Sequence, residues 1–175
     1  MSITSLRNWS GVREIESGLS AILPVWFAVA ALSFAHRPVF AQVLSITLNT
    51  NYWSMGTQYV GSVADTWYNA PGYFCVSNNG TLPARIFLGA TNSTPSGWTL
   101  TNMAGANCFQ FRYCLFFSQA PPIYLPLSLD EREIAHRLET NQAIRFDLEF
   151  RGPLATDNTN IEQTIDVSIS AMEAE

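Results

Sequence analysis

The side chains able to do chemistry are few in this sequence, and their spacing limits what they can do. Two histidines occur, His36 and His136. His36 lies beside a long apolar run, which leaves His136 as the one imidazole of the remaining chain. A Ser-His-Asp or Cys-His arrangement needs a base positioned at a nucleophile. Nothing near His136 supplies one, so it reads as a surface residue and no catalytic residue is assigned. The cysteines are Cys75, Cys108 and Cys114. Cys108 and Cys114 fall on one strand, about 20 Å apart at ~3.3 Å per residue, too far for a disulfide. Two readings stay open: a disulfide from Cys75 to Cys108 or Cys114, or three thiols packed as small apolar groups. Their spacing matches no zinc pattern.

Oxygen ligands alternate in Asp157-Asn-Thr-Asn160-Ile-Glu162, loosely as in a calcium loop. The central glycine and the full ligand count are missing, and an Asn/Asp-rich turn has the same composition. Asp157, Asn160 and Glu162 are therefore weak metal candidates, and no resident metal or cofactor is expected. Asp147 and Glu149 alternate with Arg145 and Arg151. Cross-strand ion pairing on a charged outer face explains them better than the converging carboxylates of a glycosidase. Tyr52, Trp53, Tyr59, Trp67, Tyr68 and Tyr73 crowd a short stretch. Core filling is the simpler reading; on a surface, Trp53, Trp67 and Tyr68 would stack sugar rings.

Composition narrows the function further. The nine basic residues are all arginine, which excludes Schiff-base lysines and P-loop lysines. Net charge is −5, with no basic cluster, so nucleic acid and anionic membrane surfaces are not expected partners. Charged residues make up 13% of the chain, about half the usual ~25%. Serine, threonine, asparagine and glutamine fill the difference, a balance common in exported β proteins.

Residues 19–35 are uncharged and almost wholly apolar; Arg7 and Arg13 precede them and Val39-Phe40-Ala41 follows. That layout predicts a leader helix within residues 1–41. It acts as a signal peptide cut before Gln42 or, if uncleaved, as a membrane anchor. Glu14, Glu16 and His36-Arg37 depart from the usual pattern.

Beyond residue 42 the apolar period becomes two, as strands require. Leu44, Ile46 and Leu48 alternate with polar residues. So do Phe109, Phe111, Tyr113, Leu115 and Phe117; Ile144, Phe146, Leu148 and Phe150; and Ile165, Val167, Ile169 and Ala171. Ser128-x-x-Glu131 has capping-box spacing, and Ile134 and Leu138 are four apart, which predicts one short helix near 129–138. Short strands between turn signals, without crossover helices, predict an all-β fold over 42–175: an antiparallel two-sheet β-sandwich, immunoglobulin-like or jelly-roll.

The segments Trp53-Ser-Met-Gly-Thr57, Cys75-Val-Ser-Asn-Asn-Gly-Thr-Leu-Pro83, Pro95-Ser-Gly-Trp98, Phe146-Asp-Leu-Glu-Phe-Arg-Gly-Pro153 and Thr164 to Ala171 carry a resemblance. In them the chain resembles short secreted bacterial β-sandwich proteins of the immunoglobulin-like kind. It departs from their pattern at the cysteine-rich strand and at 128–139. The resemblance implies a role at the cell surface or in an extracellular matrix and brings no catalytic residues. The expected function is a non-enzymatic structural or adhesive protein, secreted, surface-bound or periplasmic, self-assembling through edge strands. The alternative is a carbohydrate-binding module. Expected partners are further copies of the chain, other surface proteins or glycans; a membrane enters only through an uncleaved leader.

Overall fold

The computed structural model describes residues 2–3, 6–9, 41–69, 71–95, 97–115, 123–157 and 160–175. The apolar run of the expected leader lies outside them. Among the described residues no helix is long and apolar enough to cross a membrane.

Every described element is a strand: β1 (Ser2–Ile3), β2 (Leu6–Trp9), β3 (Ile46–Leu48), β4 (Trp53–Ser54), β5 (Val63–Asp65), β6 (Phe74–Asn78), β7 (Ala84–Ala90), β8 (Thr99–Leu100), β9 (Cys108–Leu115), β10 (Leu125–Pro126), β11 (Arg132–Leu138), β12 (Ala143–Arg151) and β13 (Val167–Glu173). The larger sheet runs β10-β9-β12-β6-β3, with β5 also paired to β12 and β8 to β9. The second runs β11-β7-β13-β2, and β1 pairs with β4. Pairing is antiparallel except β2 with β13 and β8 with β9, which are parallel.

β12 organises the larger sheet. One flank is covered by β9, from Phe146↔Leu115 to Arg151↔Gln110. The other is shared by β6 over 143–146 and β5 over 149–151. The expected alternation holds here: Phe146, Leu148 and Phe150 are fully buried. They join Phe74, Val76, Phe109 and Phe111 of this sheet, and Ile86, Leu88, Val167 and Ile169 of the second, in one hydrophobic cluster. Phe74 stacks on Phe146 at 5.6 Å.

The helix predicted near 129–138 is absent, because those residues form the edge strand β11. Glu133 faces Phe87 across to β7, and register shifts follow at Ala135 and Leu138. Ile134 and Leu138 turn inward as expected. A separation of four places residues on one face of a strand as well as of a helix, and two irregularities let β11 keep both contacts. Ser128 does not cap a helix; its hydroxyl donates to the Asp130 carbonyl at 2.8 Å.

Candidate functional site

A cleft of about 540 Å³ opens where the loop before β5, the start of β8 and the segment after β12 meet. Backbone bonds fix its walls. Gly61 N donates to the Pro153 carbonyl and Gly152 N to the Ser62 carbonyl, both at 2.8 Å. Gly61 makes the turn at a φ of 71°, a region that side chains with a Cβ resist. Trp98 is held at three points. Its amide donates to Ser93 Oγ at 3.1 Å, its indole Nε1 donates to Thr156 Oγ1 at 2.8 Å, and its ring stacks on Phe150 at 6.3 Å and 26°. Tyr59, Val60 and Ile161 stand exposed around this floor. Gln58, Asn160 and Glu162 add polar groups; among the described residues Glu162 is the one carboxylate of the lining, which holds no cationic side chain.

A second constellation lies on the outer side of the larger sheet. Arg112 faces Glu149 across β9 and β12. Its Nη2 lies 2.6 Å from Glu149 Oε1, and Arg151 Nε reaches the same oxygen at 2.7 Å. Glu149 makes the cross-strand ion pair expected from the sequence, whereas Asp147 bonds Thr66 instead, and the face is not wet: Glu149 is 6% exposed and Asp147 0%. Thr66 Oγ1 donates to Asp147 Oδ1 at 3.1 Å and accepts from Leu148 N at 3.0 Å. Asp147 Oδ2 and the Tyr124 hydroxyl, both buried, have no partner among the described residues. Burial lifts the Asp147 carboxyl to about 6; the Thr66 bond opposes the rise and the Asp65 charge adds to it. Burial also raises the Cys114 thiol, and burial with the Asp65, Asp147 and Glu149 charges raises Tyr124. Asp147 thus has the proton affinity of an acid–base group, but no exposed surface through which a substrate would meet it.

The stacking residues expected from the sequence do not form one face. Trp53 is 2% exposed and tilts against Phe111 at 6.3 Å, so it belongs to the core. Trp67 is half-buried, with exposed Tyr68 edge-on to it at 6.4 Å. Trp98 joins the aromatic cleft from the position just before β8, a segment the sequence marks only by Gly97-Trp98-Thr99 after a polar loop. Nothing local in the sequence shows that Tyr59 reaches the same cleft.

All three cysteines are free, so of the two open readings the structure shows unpaired thiols and not a disulfide from Cys75. Cys75 faces Arg145 on one flank of β12, and Cys114 faces Asp147 on the other. Two strand spacings and a two-residue offset put their Cα atoms roughly 12 Å apart, against a limit of about 7 Å. Cys108 lies farther along β9, on the order of 25 Å from the level of Cys75.

The metal candidates also separate. Asp157 exchanges bonds with Asn107, its amide reaching Asn107 Oδ1 at 3.2 Å. Asn160 and Glu162 line the cleft instead. No group of three or more His, Cys, Asp or Glu able to hold a metal occurs among the described residues. His136 is exposed on β11, with Nδ1 3.0 Å from Glu133 Oε1. Glu133 also pairs with Arg85, whose bond is the main cause holding its carboxyl below the usual range.

No family model, curated protein or solved structure matches this chain.

Proposed function

We propose that this chain is a non-enzymatic structural or adhesive protein of the cell surface or extracellular matrix, and that it associates with further copies through a strand edge. On this reading the two sheets pack as an antiparallel β-sandwich of the immunoglobulin-like or jelly-roll kind. The hydrophobic cluster drawn from both sheets supports that packing.

The observation that carries the functional reading is at β13. Its outer edge takes an added segment from far away in the sequence: Leu6 to Trp9 run parallel to it, from Val167↔Leu6 to Ser170↔Trp9. An edge that accepts one extended segment through main-chain bonds has the chemistry to accept another. The opposite edge is less suited to addition. β11 carries Arg132, His136 and Arg137, exposed charged or titratable groups of the kind that blunt strand edges.

The leader enters here. Export with cleavage before Gln42 removes Leu6–Trp9 and opens the β13 edge; retention as an anchor keeps it covered. Among the described residues the buried core lies within 46–174, and residues 42–175 contain all of it. Sedimentation velocity and negative-stain electron microscopy of 1–175 and 42–175 over a concentration series test this reading. Association that is stronger for 42–175 supports it, and a strict monomer for both chains at every concentration overturns it.

A further inference from the structure

We propose that the Trp98 cleft binds a neutral saccharide of one to two rings. The inference stands apart from strand-edge association, because no residue of β13 lines the cleft. A pyranose has apolar C–H faces and a belt of hydroxyls that both donate and accept. A site for it needs a flat aromatic platform, with neutral or acceptor groups beside the ring.

The cleft has both parts. Trp98 is a platform fixed before any ligand arrives, by the Thr156 bond, the Phe150 stack and the Ser93 bond. Immobilising an aromatic ring in the free protein removes an ordering cost from binding. Tyr59, 79% exposed, offers a second ring at the rim. The hydroxyl-binding groups are amides and a carboxylate. Gln58 is already oriented, its Nε2 on the Met55 carbonyl and its Oε1 accepting from Ser62 Oγ, and each atom retains capacity for one more bond. Asn160 and Glu162 stand on the opposing segment.

Charge decides among ligand classes. With one carboxylate and no cation among the described residues of the lining, and a net charge of −5 on the chain, phosphorylated, sulfated and carboxylated ligands meet repulsion. The volume, about 540 Å³, lies in the ordinary range for small-molecule sites, roughly 300–1,000 Å³.

The test is NMR titration of the full ¹⁵N-labelled chain with cellobiose, maltose and N,N′-diacetylchitobiose in turn, following the Trp98 indole N–H. A saturable shift with at least one sugar is expected. Tyr59→Ala and Glu162→Gln, both at exposed positions, should each weaken it about tenfold without changing the melting temperature. Tyr68→Ala, outside the cleft, should leave it unchanged. Absence of a shift with all three sugars overturns the proposal. So does equal weakening by Tyr68→Ala. A shift with choline and none with sugars also overturns it, in favour of an aromatic cage for a cation.

Discussion

Asp147 holds its proton far more tightly than an exposed carboxylate, and the sign of the resulting pH dependence follows directly. Its folded value of about 6 lies above the ordinary 3.8. Between those values the unfolded chain has lost the proton while the folded chain keeps it, so stability from this group falls as pH rises. It is fully present below about pH 4 and gone above about pH 6. The rise corresponds to roughly 3 kcal/mol at ~1.4 kcal/mol per pH unit. Asp147→Asn removes the charge and keeps an oxygen for Thr66. Its melting temperature should match the parent at pH 4 and exceed it at pH 7.5, by an amount equivalent to as much as about 3 kcal/mol. An equal gap at both pH values would show that ionisation of Asp147 is not the cause. The sequence shows the alternation that places Asp147 opposite the core. It does not show that Thr66 and Tyr124, distant in the chain, close over that side. The same limit governs the cysteines: strand membership was legible, but which flank of β12 each strand occupies is a matter of tertiary pairing.

At the scale of elements, strands with clean two-residue alternation were readable from their residues. β12 is the clearest, its Phe146, Leu148 and Phe150 all buried. The segment 128–139 was not, because its apolar residues sit four apart and its polar residues suit either a helix start or a turn. Partnership with β7 decided the matter. Another junction depends on the absence of a side chain. A Cβ on Gly80 would lie 2.3 Å from the Val43 carbonyl oxygen and 2.7 Å from Ser45 N. Both are main-chain atoms of the approach to β3, where Thr81 N donates to the Val43 carbonyl at 2.8 Å. Gly80→Ala must push that approach away from β6. It should destabilise the protein by about 2 kcal/mol or more, with loss of amide protection concentrated at 43–48. Uniform loss across all strands would show global strain instead.

For the whole molecule, the all-β class and the two main sheets were legible from period and turn signals, since apolar residues alternate with polar ones along the main strands. The candidate site was less so. Its aromatic floor joins Trp98 to Phe150, and its rim joins Tyr59 to Glu162, pairs brought together only by sheet order. Composition indicated an abundance of aromatic residues without saying which would remain accessible. Trp53, the first tryptophan of the crowded stretch, was drawn into the core, and a tryptophan 45 positions later reached the cleft.

The position of β12 also sets a clock. It is bonded along one flank to β9 and along the other to β6 and β5, so each of its amides is paired to one neighbour or the other and exchanges with solvent only when that interior pairing parts. Such an event approaches complete unfolding, whereas β11, bonded to β7 alone, can open by itself. In deuterated water the molecule should therefore erase itself in order: the β11 amides first, and those of 146–150 last, at a rate that reports the lifetime of the folded state.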